Sequence, residues 1–177
     1  MRWRIRRPEC YLPPAMKTKT IAFSLLLILT SVLSLNGENK RILSWGDQGD
    51  GTYKNPILKS DYSDPDILRH GDDFYLIASD FHFVGIQILH SRDLVNWRVV
   101  GQVFNRLTMA SKYDEMKAYS QGTWAPTIRF HNGTFYIFVC TPYDGLFMWH
   151  ANIPAGPWSE TINVKAVEKW EDPSPFW

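Results

Sequence analysis

The sequence predicts an all-β protein built of propeller blades, and three observations predict it. Aromatic residues make up 15% of the chain, with 8 Trp, 8 Tyr and 10 Phe, and such residues favour pleated, half-buried strands. No helical hydrophobic period competes over any long window. The chain also repeats itself: "PDILRHGDDFYLI" (65–77) aligns with "PTIRFHNGTFYIF" (126–138) without a gap. Pro65, Ile67, His70, Phe74 and Tyr75 match Pro126, Ile128, His131, Phe135 and Tyr136 at one offset. "HSRDLVNW" (90–97) echoes "HANIPAGPW" (150–158), with His leading and Trp closing both. Four-stranded units recurring at this period point to propeller blades.

Each unit reads as four short strands. A first apolar strand (67–69, 127–130) meets a tight turn at "GDD" or "HNG", and Asn132-Gly133 is the preferred pair for a two-residue hairpin. The second strand, "FYLIAS" or "FYIFVC", is almost continuously apolar, which predicts burial on both faces. A third strand ("GIQILHS", "LFMWHA") follows, then a fourth around "WRVVG" or after Trp158. "EDPSPFW" (171–177) repeats the opening "SDPDILR" and predicts the first strand of a third unit. The expected architecture is therefore about two blades plus the first strand of a third, a portion of a larger ring. The blade faces meant for neighbours would stay exposed, so the piece is expected to be poorly stable in isolation.

The first 36 residues differ in kind. Residues 1–15, "MRWRIRRPECYLPPA", are basic and unpatterned, and read as an upstream extension. Residues 16–36 have a basic start at Met16, Lys17 and Lys19, then an apolar run from Ile21 to Leu33 and small residues such as Ser34. That is the layout of a secretory signal peptide, too short in its apolar run for a bilayer span. The expected location is secreted or periplasmic, without stable membrane association after signal cleavage. The domain proper is expected over 37–177. Six of the 19 basic residues and one of the 18 acidic ones lie in the first 36, leaving 13 and 17, a net charge of −4. Such a balance argues against nucleic acid as a partner. Cys10 leaves with the leader and Cys140 stands alone, so the mature chain has no internal disulfide.

In a propeller the first strand of each blade lines the central channel, and residues at its start sit at the mouth. Asp64 precedes the first strand of the first unit and Asp172 that of the third, while Trp124 takes the neighbouring place in the second. The fold therefore gathers Asp64, Trp124 and Asp172 around one opening. Two carboxylates beside an aromatic platform suit cleavage of a glycosidic bond, where acids move protons and the ring stacks on sugar. Aspartate before proline is also a common turn starter whose side chain bonds nearby backbone N–H groups. Asp61 and Asp66 read as turn and strand-edge residues, and Asp72 and Asp73 as solvated hairpin residues. His90 and His150, at equivalent positions, read as sharing one structural role. "NGT" (132–134) fits a glycosylation sequon, although the tight turn explains it without sugar.

"NPILKSDYSDPDILRHGDDFYLIAS", "ILHSRDLVNW", "GTWAPTIRFHNGTFYIF" and "EDPSPFW" together resemble the N-terminal part of glycoside hydrolase family 43. Within it they are most similar to β-xylosidases and α-L-arabinofuranosidases, with arabinanase an alternative. The resemblance runs from about Trp45 to Trp177 and implies a five-bladed β-propeller that hydrolyses glycosidic bonds with inversion. It implies Asp64 as the general base and Asp172 as the acid that raises the pKa of the general acid and orients it. Trp124 and Phe81 would contribute to the sugar-binding subsite. Inversion needs a base to activate water on one face of the sugar and an acid on the other, with carboxyls about 6.5–9.5 Å apart. A third carboxylate keeps that acid protonated by like-charge repulsion. The family's general acid is a Glu on a later blade, and no residue here takes that place, so the chain alone is expected to be inactive. The implied substrate is a xylan-derived oligosaccharide. No cofactor is expected and no metal-ligand spacing appears, with a structural calcium in the complete channel left open. The competing reading is a non-catalytic carbohydrate-binding propeller.

Overall fold

In the computed structural model the described residues are 45–81, 85–115 and 117–177, and they fall within one compact unit, Leu43–Trp177. The expected upstream extension and signal peptide lie outside the described residues. Eight strands and one short helix follow in order. They are β1 (Asp66–His70), β2 (Asp73–Ile77), β3 (Gln87–Ser91), β4 (Arg98–Gln102), α1 (Ser111–Asp114), β5 (Trp124–His131), β6 (Thr134–Thr141), β7 (Gly145–Ala151) and β8 (Ile162–Lys165). β1–β4 and β5–β8 form two four-stranded antiparallel sheets, each a meander in sequence order. These are two blades.

The sequence repeat is also a repeat of register. Asp66 opposes Ile77 and Arg69 opposes Phe74 in the first blade; Thr127 opposes Phe138 and Phe130 opposes Phe135 in the second. Both first hairpins turn in two residues. Gly71 alone takes positive φ (63°) in one, whereas Asn132 (48°) and Gly133 (81°) both do so in the other. That second pattern is the backbone an Asn-Gly hairpin demands.

One apolar core joins the blades. Ile77, Ile86 and Ile88 from the first pack with Ile128, Ile137, Val139, Phe147 and Trp149 from the second. The connection between the blades adds Phe104, Leu107 and Tyr113, and Phe104 stacks on Trp149 with ring centroids 5.3 Å apart. Fully burying an aliphatic or aromatic side chain stabilises by about 1.5–3 kcal/mol, so this shared core holds the blades side by side. The Tyr113 hydroxyl donates to Asp144 and Lys112 pairs with the same carboxylate at 2.8 Å, pinning α1 to the β6–β7 turn. Burial first, and Asp144 next, push the Tyr113 hydroxyl pKa up.

Two expectations need correction. The second strands are not buried on both faces: in β6, Phe135, Ile137 and Val139 are buried, while Tyr136 and Phe138 are only half-buried. Their side faces away from the first blade, so the apolar run alone did not tell which face has a neighbour. Residues 171–177 form no strand, because no described residue pairs them into a ladder. They nevertheless cross the second blade where a third blade's opening would lie. His70 packs on Phe130 of the next blade at 4.3 Å, and His131 stacks on Trp177 at 4.4 Å, the same contact one unit on.

Candidate functional site

Each unit opens with a residue followed by proline: Asp64-Pro65, Ala125-Pro126 and Asp172-Pro173. All three openers have left-handed backbones, at φ 48°, 39° and 51°. A residue with a Cβ in that region costs about 1–3 kcal/mol, and repeated strain of this kind collects at functional sites. The turn has one result in all three units. Asp64, Ala125 and Asp172 line one shallow depression of about 280 Å³, together with Asp66, Thr127, Arg129 and Ser174. The structure thus brings Asp64 and Asp172 to one hollow although they stand 108 positions apart in the sequence.

Asp64 is exposed, and one of its oxygens is held on both sides. Oδ2 accepts from the Ser63 hydroxyl at 3.1 Å and from the Ser79 hydroxyl at 2.9 Å. Ser79 Oγ accepts in turn the Ala125 N–H at 2.8 Å, which ties the first opener to the second. Next in sequence, Asp80 and Thr123 form an antiparallel bridge, with Asp80 N–H donating to Thr123 O at 2.9 Å. Asp80 is itself buried and accepts the Gly85 N–H at 2.7 Å. The strand ends around the hollow are therefore cross-linked rather than free.

Asp66 has a larger role than a strand edge. Its Oδ2 accepts from Thr127 Oγ1 (2.9 Å), Ile128 N (2.8 Å) and Arg129 Nη1 (2.7 Å), all on the second blade. Arg129 reaches on to Ser174 Oγ at 3.3 Å, so one guanidinium spans all three openings. Neither Asp66 nor Arg129 could be singled out by local sequence, because their partners lie 45 to 63 residues away.

Trp124 opens β5 beside Ala125, but its indole N–H donates to Ser120 O at 2.8 Å and it is not among the residues lining the hollow. Phe81 lines a second, smaller hollow of about 160 Å³ with Asp61, Tyr62, Ser79, Asp80 and Gln87. Ser79 borders that hollow while bonding to Asp64, so the two recesses meet at its side chain. In the second unit Cys140 stands at the Ser79 position. Burial, then the Asp172 and Glu171 charges, push its thiol up to about 11. No cluster of three or more metal-ligating side chains occurs among the described residues.

Away from the mouth, Asp73 is not simply solvated. It accepts from His90 Nε2 at 2.7 Å and Arg92 Nε at 3.0 Å, and these bonds, His90 first, lower its pKa. His150 is exposed and has no carboxylate partner among the described residues, because the second unit has Thr134 where the first has Asp73. Both histidines still tilt against the equivalent tyrosine of the facing strand, His90 on Tyr75 at 5.3 Å and His150 on Tyr136 at 6.5 Å, so what they share is that ring contact and what differs is the carboxylate.

Comparison with known proteins decides what frame these residues belong to. The sequence pattern described as Glycosyl hydrolases family 43 matches residues 53–177. The chain belongs to glycoside hydrolase family 43. A putative β-xylosidase of Xylanibacter ruminicola is 51% identical over 133 residues, covering 75% of this chain and 24% of that protein. A β-xylosidase of Formosa agariphila is 47% identical over 138 residues, covering 76% and 23%. Among solved structures, the family 43 protein BlXynB of Bacillus licheniformis superposes with a TM-score of 0.59 at 34% identity, covering 70% of this chain and 26% of that one. The chain thus spans about a quarter of the length of the curated relatives it matches. Its two sheets are blades of the family 43 propeller.

Proposed function

We propose that this chain carries two of the three carboxylates of an inverting glycosidase acting on xylan-derived oligosaccharides, as a β-xylosidase or an α-L-arabinofuranosidase. One observation carries the reading: Asp64 and Asp172 line one hollow, each on the same left-handed turn before a proline. Asp64 takes a proton from the water that attacks the anomeric carbon. Asp172 stands near the general acid and keeps it protonated and oriented. The general acid is a third carboxyl, a place that no described residue takes. The names of the relatives support the substrate class, since they include β-xylosidases and a non-reducing end α-L-arabinofuranosidase of Bacteroides ovatus. Phe81 and Trp124 contribute sugar-facing aromatic surface, and the leader directs the protein to the periplasm or the exterior.

The test joins the full chain at Trp177 to the part of the Xylanibacter relative that follows the matched stretch and assays aryl β-xyloside and aryl α-L-arabinofuranoside. Asp64→Asn should lower kcat by about 100- to 10,000-fold, the range for a general base. Activity on either glycoside that survives Asp64→Asn undiminished would overturn the assignment.

A further inference from the structure

We propose that Ser79 is the positioning residue for the base: it holds one oxygen of Asp64 and leaves the other, Oδ1, to take the proton from water. This rests on the reading of Asp64 given above and assigns its two oxygens different work. Oδ2 accepts two hydroxyl donors, from Ser63 and Ser79, whereas Oδ1 accepts none among the described residues. A carboxylate oxygen already engaged by two donors is a poorer proton acceptor than its open partner. In the reaction the water O–H bond breaks as its oxygen bonds to the anomeric carbon. The proton goes to Asp64 Oδ1, the glycosidic C–O bond breaks, and the leaving oxygen takes its proton from the general acid.

Ser79 carries this role better than Ser63 because three constraints fix it. Its hydroxyl oxygen accepts the Ala125 N–H at 2.8 Å, which directs its own hydrogen to Asp64 at 2.9 Å. Its backbone N–H donates to Ser63 O at 2.9 Å. The following residue, Asp80, is locked to Thr123 by the bridge between blades. Ser79 is half-buried, so it can be constrained in this way while Asp64 stays open to solvent. The base is therefore oriented by the second blade as well as by its own. The repeat places a thiol at the equivalent position, Cys140, beside the Asp172 opening.

The test uses the same full-chain fusion. Ser79→Ala should lower kcat on the aryl glycoside by about 10- to 100-fold, the loss expected for one hydrogen bond to a charged group. KM should change far less than kcat, since the Ser79 hydroxyl is taken up by Asp64 and the Ala125 N–H. Ser79→Thr, which keeps the hydroxyl, should recover most of kcat, while Ser79→Val, of the same shape without it, should not. Equal kcat for the Thr and Val variants would overturn the proposal, as would an unchanged kcat in Ser79→Ala. If Asp64→Asn alone among these variants is inactive, the base assignment stands and only the role of Ser79 falls. If Asp64→Asn is also fully active, the assignment of the base itself fails.

Discussion

Asp66 should be the costliest polar side chain to remove from the contact between the blades. Asp66→Ala removes the carboxylate, and with its Oδ2 three donors lose their acceptor. Ile128 is fully buried and Thr127 is 4% exposed, so water replaces the lost bonds poorly. An unsatisfied buried amide costs about 1–3 kcal/mol. The pair with Arg129 adds little, about 0.2–1 kcal/mol, because both side chains are near 30% exposed and solvent screens them. The sum is roughly 1–4 kcal/mol, a large share of the about 5–15 kcal/mol typical of a whole domain. Asp66→Asn keeps an acceptor for Ile128 and Thr127 and gives up only the charge, so it should lose about 1 kcal/mol. Urea unfolding of the full-chain fusion followed by tryptophan fluorescence measures both. An Asp66→Ala variant within about 0.5 kcal/mol of the parent would refute this reasoning, and so would an Asn variant as damaged as the Ala one.

Two further predictions come from other parts of the fold. Asp93 feels a burial penalty, but donors from Asn96, Val95 and Ser91 outweigh it and hold its pKa at about 2. A folded pKa below the unfolded value stabilises the protein above pH 4 or so, and that stabilisation is lost as pH falls through about 2. Acid titration should therefore show the parent losing stability in that window and Asp93→Asn losing less. Gly145 has φ 124°, and a Cβ there would lie 2.3 Å from Lys165 O on the neighbouring strand β8. Gly145→Ala should destabilise by about 2–4 kcal/mol through strain and overpacking. Amide exchange should accelerate first at β8, and unchanged protection there would contradict the prediction.

The blades were legible in the sequence because a repeated hairpin leaves a repeated pattern of apolar residues and turn formers. Both hairpins close where Gly71 and Asn132-Gly133 predicted, and the register carries over residue for residue. Asp64 and Asp172 were legible for the same reason, as the residue before the proline that opens a unit. The hairpin carboxylate Asp73 was misjudged because its partner His90 belongs to a different strand, and a sequence pattern does not say which side chains face each other across a ladder.

By itself the sequence determined the all-β class, the number of repeated units, the turns and the family, since these depend on local periodicity and on motifs in order. Only the tertiary structure decided that Asp66 fastens one blade to the next and that the Ser79 hydroxyl holds one oxygen of Asp64. Only it set the Trp124 indole N–H against Ser120 O. These are hydrogen bonds between residues tens of positions apart, or choices of rotamer. They depend on where the packed blades bring the backbone, and no local pattern encodes that.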